Sequence, residues 1–516
     1  MSIHGLLQEP ASYPSNFITL PFTIPPSSQN YGQQAFQAIV RTVTASGGVP
    51  TMTANDDFQE TEFDLGNNTP EGGVNVYLSN ITVTLHLDDA VNYNNVAGFG
   101  MIAWDYGTTT SRIIIQTYNF GAASITNWRI EVIAFPIIQG GLWPTYKATD
   151  QNTSQSLFLG TPISPDPPVQ KWVYSSPSFS FNENNIVIGE TGILYIAEDG
   201  GSLVALQDGG NSAFVLWDFP TSQVNLTSPA CGRDAVLYVG SNNALIKLIE
   251  IDTINPFNLW TANLTPLVNP FPPLVSYNST GDATIYISGQ NGHVYAVSDD
   301  GSLPSYKWTF ILPVGAIFIG LSNDGSVLYG SNANVLYAID TSTGLLKWSR
   351  TIGGVPFSTP SVGADGTIYI YGVGTTLYAI TDNGTTSSIK WTLAIVGLTS
   401  NLFRTISIGG NYDRLYLVTD TQVLAVTDNG GSGTTNWIYN VDPALAPNDL
   451  TSVTIGLNGT LYITGDYTLA LCLTDNGASV TKNWDNQLAG GQASQFTIGF
   501  RQRCYLGNDQ TGIIAL

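Results

Sequence analysis

The sequence predicts an all-β protein whose last two thirds form an eight-bladed β-propeller, and three observations predict it. A strand tyrosine preceded by Leu, Ile or Cys recurs at Tyr195, Tyr238, Tyr286, Tyr329, Tyr369, Tyr416, Tyr462 and Tyr505, at intervals of 40–48 residues. On the same beat come Trp172, Trp217, Trp260, Trp308, Trp348, Trp391, Trp437 and Trp484, eight of the eleven tryptophans in the chain. The composition agrees: 53 glycines, and only 10% charged residues against roughly 25% in an ordinary soluble domain, suit strands and tight turns better than helices.

One unit reads in full between residues 358 and 395. STPSVG is a first strand, ADG a tight turn, TIYIYG a second strand and TTLYAI a third; TDNGTTSS is a polar turn and IKWTLAI a fourth strand. Four strands in such a unit, separated by Asp-Gly or Asn-Gly turns, make an antiparallel blade. The phase of the repeat predicts how the ring closes. The last unit ends on a third strand, TGIIAL (511–516), while Trp172 in VQKWVYSS (169–176) precedes any first strand. The early segment therefore supplies the outer strand of the last blade, which removes two open sheet edges.

The domains expected are an extended arm over 1–37, a small antiparallel β-sandwich of jelly-roll type over 38–140, a proline-rich linker over 141–168 and the propeller over 169–516. The arm is rich in Pro, Ser and Gln. The sandwich rests on NVYLSNITVTLHLD (75–88), GFGMIAWDY (98–106), SRIIIQTYNF (111–120) and NWRIEVIAFPI (127–137), strand-like runs separated by Gly/Asn turns. The acidic run DDFQETEFD (56–64) reads as a solvated loop.

A formal charge of −22 excludes a basic stripe of the kind that neutralises phosphates, and opposes an anionic membrane. Cys231, Cys472 and Cys504 are too scattered for a disulfide framework or a zinc site and read as buried small apolar residues. His4, His86 and His293 lack partners at ligand spacing, so no metal is expected at them. No G-x-S-x-G elbow, P-loop or complete EF-hand loop occurs, and the Asp-Gly and Asn-Gly pairs serve hairpins rather than calcium. The sequons, at Asn80, Asn225, Asn263, Asn278, Asn383 and Asn458 among others, occur at the frequency chance gives in so Asn/Ser/Thr-rich a chain. The first residues carry no basic leader followed by an apolar run, so no signal peptide is expected.

Residues 338–348, AIDTSTGLLKW, carry Ala338, Asp340, Thr343, Gly344 and Trp348 at the spacing of a tryptophan-docking motif. In this the chain resembles the pyrroloquinoline-quinone-like propeller repeats, which serve quinoprotein alcohol dehydrogenases and the lipoprotein of the bacterial barrel-assembly machine. The resemblance implies blade-to-blade docking by the eight tryptophans. It implies a quinone site only with an adjacent Cys-Cys pair, basic residues for the quinone carboxylates and a Glu/Asn/Asp set for calcium, and no two cysteines here are neighbours. No catalytic residue, cofactor or metal is therefore expected. The expected function is a non-enzymatic structural or interaction protein: the arm and sandwich engage protein partners in a homo- or hetero-oligomeric assembly, and the propeller presents a face. No nucleic acid and no membrane insertion are expected. Low charge, abundant Asn, Thr and Gly, and an all-β build suit the exterior of a particle assembled in the cytoplasm, such as a virion, where this would be a capsid-associated or spike protein. The alternatives are a quinone- or calcium-dependent oxidoreductase, a hydrolase using the channel mouth, and an envelope scaffold, which would need a lipobox cysteine.

Overall fold

A computed structural model describes the backbone of six strands between residues 39 and 137 and, apart from short gaps, residues 148–516. The chain divides into two compact units, and residues 140–516 all belong to the second.

The first unit holds β1 (Ile39–Thr44), β2 (Asp57–Asn67), β3 (Tyr77–Leu87), β4 (Ala97–Tyr106), β5 (Thr110–Asn119) and β6 (Trp128–Ile137). They form two antiparallel three-stranded sheets, ordered β1-β6-β3 and β2-β5-β4. The acidic run at 56–64 is not a loop. It lies in β2, with Glu60 opposite Gln116 and Glu62 opposite Ile114 of β5. Its alternation is obscured because acidic and aromatic residues occur at both odd and even positions, so the period-2 signal fails although the pairing forms. The expected arm (1–37), and the side chains that would join two sheets into a sandwich, lie outside the described residues.

The second unit is the propeller. Its blades span 187–220, 230–263, 274–311, 318–351, 355–394, 407–440, 450–487 and 497–515, each an antiparallel sheet running outward in sequence order. Second and third strands are buried nearly throughout because neighbouring blades cover both their faces; fourth strands alternate between exposed and buried. Blade 8 takes its outer strand from Trp172–Tyr174, with Ala515 opposite Trp172, so the ring closes as the phase of the repeat requires.

Within each blade the three middle positions form a stack. Tyr195, Ala205 and Trp217 sit side by side on successive strands, as do Tyr369, Ala379 and Trp391, and Tyr416, Ala425 and Trp437. The central residue is small, so the rings meet across it with centroids 5.9–6.1 Å apart. Blade 2 puts Lys247 there and blade 7 Cys472. Immediately after this position the register of third and fourth strands shifts in blades 1–7. A β-bulge at that point re-aims the tryptophan toward the next blade.

Candidate functional site: blade clasps and an axial strap

The tryptophans dock on carboxylates that end the third strand of the following blade. Trp391 Nε1 donates to Asp428 Oδ1 at 2.8 Å, Tyr369 OH to Asp428 Oδ2 at 2.7 Å, and the Gly430 N–H to Asp428 Oδ1 at 2.7 Å. The same clasp joins Trp348, Tyr329 and Gly384 on Asp382, Trp437, Tyr416 and Gly477 on Asp475, and Trp172, Tyr505 and Gly210 on Asp208. The last of these runs from blade 8 to blade 1 and seals the ring. A carboxylate suits the position because it only accepts, with lone pairs for several donors at once.

The variations follow the chemistry of the donors. At the junction of blades 2 and 3, Lys247 Nζ lies 2.6 Å from Asp299 Oδ2, with Tyr238 and Gly301 as further donors, and Trp260 Nε1 has no acceptor among the described residues. At blades 3 and 4, Asp340 turns to Ser342 and Thr343, and Trp308 Nε1 donates to the Thr341 carbonyl at 2.8 Å instead. Trp217 packs on Tyr195 and Trp484 on Tyr462, and Trp484 Nε1 is buried without an acceptor among the described residues. Arg414 meets both oxygens of Asp475, Arg503 pairs with Asp208, and Lys390 reaches Asp365 and Asp428. Arg414, Lys247 and Arg503 lie on second or third strands. They are consumed between blades rather than offered to a ligand.

Burial pushes Asp208, Asp299 and Asp428 toward the neutral acid, but the donors outweigh it and hold each carboxyl below its ordinary value. The partner phenols of Tyr238, Tyr369 and Tyr505 are pushed up, by burial first and by the facing carboxylate as well. For Tyr329 the order is the same.

The inner edges of blades 4 to 7 are lined by the chain itself. Residues 151–156, from the segment read as a linker, run along the channel-facing edges of the inner strands. The N–H groups of Val362, Ile408 and Ile455 donate to the carbonyls of Gln151, Thr153 and Ser154, and Ser156 N–H returns a bond to Ile455 O. Asn152 and Ser154 take positive φ (60° and 54°), which curves this strap around the ring. Asn152, Thr153, Ser154 and Ser156 are all at most 3% exposed. Inner-strand hydroxyls tie blades 5 to 8 each to the next blade: Ser361 Oγ donates to Ile406 O, Ser407 Oγ to Val453 O, Thr454 Oγ1 to Phe496 O and Thr497 Oγ1 to Ile186 O. Blade 4 has Gly320 at this position. There Asn152 Nδ2 bridges Ile319 O and Pro360 O at 3.0 and 2.9 Å, supplying the missing donor.

This arrangement does not fit a quinone cofactor. Cys231, Cys472 and Cys504 are buried as free thiols in the blade cores, and burial pushes Cys472 up to about 12. Among the described residues no three His, Cys, Asp or Glu side chains are grouped to hold a metal ion. His293 stacks on Tyr295 with Nδ1 3.2 Å from Asn291 O, and His86 lies in β3; His4 is outside the described residues. The carboxylate clasps and the interblade hydroxyl bonds of blades 5 to 8 were missed by sequence reasoning. The Asp-Asn-Gly and Ser/Thr-Val/Ile-Gly recurrences would have found them had they been read for hydrogen bonding as well as for turns.

Residues 258–501 match the family model described as Outer membrane protein assembly factor BamB. No curated protein matches the chain. Among solved structures, Sqt1 of Saccharomyces cerevisiae is 9% identical, with 67% of this chain and 98% of that chain covered and a TM-score of 0.54. Sqt1 of Chaetomium thermophilum, bound to the N-terminus of the ribosomal protein L10, is 14% identical over 63% and 93%, with a TM-score of 0.53. A europium-containing methanol dehydrogenase is 11% identical over 72% and 90%, also at 0.53. At such identities the likeness is one of fold.

Proposed function

Starting from a propeller whose repeats belong to the pyrroloquinoline-quinone-like family, matched over residues 258–501, we propose that this chain is a non-enzymatic interaction module. The observation that carries the reading is the strap at 151–156, hydrogen-bonded along the inner-strand edges of three blades, the side of the ring on which a propeller would receive a ligand. The basic side chains of Lys247, Arg414 and Arg503 are spent on interblade carboxylates, which leaves them unable to hold an anionic cofactor or nucleic acid.

What remains is a propeller carried with a separate β-unit, in a chain of only 10% charged residues and a net charge of −22. Such a chain suits a component of a large assembly, with protein partners engaged through the amino-terminal arm, the preceding β-unit and one propeller face. The exterior of a particle assembled in the cytoplasm, such as a virion, is the setting the composition favours, with the chain as a capsid-associated or spike protein. Binding of a partner terminus by a propeller, as in the complex of Sqt1 with the ribosomal protein L10 N-terminus, is the mode we assign to that face.

Gentle fractionation of the native source, followed by electron cryo-microscopy, tests this. The chain is expected in a large particle or repeating array; recovery as a free monomer overturns the assembly reading. Quinone-dependent turnover on adding pyrroloquinoline quinone and calcium to the purified protein would overturn the non-enzymatic one.

A further inference from the structure

The clasps bear on a chemical liability of the hairpins they close. Asn-Gly bonds occur at Asn291, Asn383, Asn429, Asn458 and Asn476. In such a bond the glycine nitrogen, unshielded by any Cβ, attacks the asparagine Cγ; ammonia leaves and a cyclic imide forms. Water then opens the imide at either carbonyl, giving aspartate or isoaspartate, so the net change is one amide hydrolysed by one water. The attack needs the glycine N–H to lose its proton and the nitrogen to approach Cγ, which makes hydrogen bonding at these two groups decisive.

At Asn383, Asn429 and Asn476 both groups are held. The N–H groups of Gly384, Gly430 and Gly477 donate to the clasp carboxylates of Asp382, Asp428 and Asp475 at 2.7–2.8 Å. Removing a proton beside an anion is unfavourable, and the bond fixes the nitrogen toward the aspartate. The asparagine amides are turned away onto the hydroxyls of Ser388, Thr434 and Thr481 at 3.2, 2.8 and 2.8 Å.

Asn291 differs at the glycine nitrogen. The Gly292 N–H meets only the neutral Gly289 carbonyl, at 3.3 Å. Asn291 Oδ1 is buried with no hydrogen-bond partner among the described residues, so the carbonyl to be attacked is not engaged. Its amide donates to Pro266 O.

We propose that Asn291 is a site at which the folded protein deamidates, and that the clasp carboxylates protect Asn383, Asn429 and Asn476 from the same reaction. Conversion of Asn291 replaces a donor by an anion facing the Pro266 carbonyl. The turn at 289–292 then repels the connection at 266–269, which is also held by the Gln290 N–H on Val268 O.

The experiment is peptide mapping by mass spectrometry with isoaspartate detection, on the folded full chain and on its isolated peptides, incubated together at mildly alkaline pH. The peptides give the unprotected rate at every site. In the folded chain Asn291 is expected to convert, whereas Asn383, Asn429 and Asn476 convert at least about ten-fold more slowly than their own peptides, the effect of one charge-assisted hydrogen bond on a barrier. Asp428→Asn is expected to accelerate Asn429 alone. Equal folded-state rates at Asn291 and the three clasped sites would overturn the proposal, as would an Asn429 rate unmoved in a folded Asp428→Asn protein. Should that variant fail to fold, the comparison within the unsubstituted chain still decides.

Discussion

Asn152 donates from Nδ2 to the carbonyl of Pro360, 208 residues further along the chain, and so extends to blade 4 a run of interblade hydrogen bonds that Gly320 would otherwise cut short. Asn152→Ala removes the donor from two buried carbonyls and is expected to cost about 1–3 kcal/mol. Gly320→Ser carries a matching hydroxyl, but its Cβ would come within 2.7 Å of Asn152 Nδ2 and of Pro360 O, so alone it is expected to destabilise as well. Together the two substitutions should cost less than their sum, since the smaller residue makes room for the hydroxyl. Denaturant unfolding of the four proteins of this double-mutant cycle measures the coupling; strict additivity would mean that Asn152 does not stand in for the missing side chain.

Asp475 is the most crowded of the clasp carboxylates, with Trp437, Tyr416, Gly477 and Arg414 all donating to it. Asp475→Ala leaves Arg414 as a buried cation without its counter-ion, and a loss of about 3–5 kcal/mol is expected. Asp475→Asn keeps an acceptor for some of these donors and should lose less. Thermal unfolding of both variants checks the order; equal losses would count against a charge-dependent clasp.

The clasps also set a pH profile. Asp208, Asp299 and Asp428 are held below the ordinary value of 3.8, so their contribution is full above that pH and is lost as pH falls through their lower folded values. Tyr238, Tyr369 and Tyr505 are held above 10.0, so their contribution is full below that pH and is lost as pH rises beyond it. Stability against denaturant should therefore be flat between these limits and fall at both ends. Asp428→Asn should flatten the acid limb, and an unchanged limb would show that other groups set it.

Periodic, local features were legible from the sequence. The tyrosine and tryptophan typified by Tyr369 and Trp391 recur at intervals of 40–48 residues, and Trp172 out of phase foretold the closure with Ala515. Asp428 was visible too, yet Asp-Asn-Gly reads as a turn, and the chain pattern does not show that its carboxylate faces the previous blade. Asn152 could not be read at all: its partners, Ile319 and Pro360, lie in two different blades and are backbone carbonyls, which leave no trace in residue type. In β2, Phe58 and Phe63 stand at even and odd positions among acidic residues, which concealed a strand that pairs with the isoleucines of β5.

Gly344, in the motif that signalled docking, has a positive φ of 71°, and a Cβ there would lie 2.5–2.7 Å from the ring of Trp308. Gly344→Ala therefore meets a left-handed backbone penalty and a clash with a docked tryptophan, together about 1–3 kcal/mol. Gly384→Ala is the control, since its φ is also positive (87°) but no atom lies within 4 Å of the added carbon. The two variants should separate backbone strain from packing, and equal melting temperatures would remove Trp308 from the account.

Closure of the ring can be tested by where the chain is made to begin. A chain starting at residue 177 lacks Trp172–Tyr174, so Gly512–Ala515 is left as an open buried edge and Asp208 loses a donor. A chain starting at residue 168 keeps that strand but lacks the strap, so the N–H groups of Val362, Ile408 and Ile455 lose their acceptors. One starting at residue 140 retains both. The expected order is aggregation for the first, folding with a lowered midpoint for the second and full stability for the third, read by size-exclusion chromatography and thermal unfolding. Supplying a peptide of residues 168–176 should restore the monomeric ring to the first chain, because the missing strand binds through its own ladder. A ring that closes without the peptide would mean that blade 8 is complete with three strands and that Trp172 contributes packing alone.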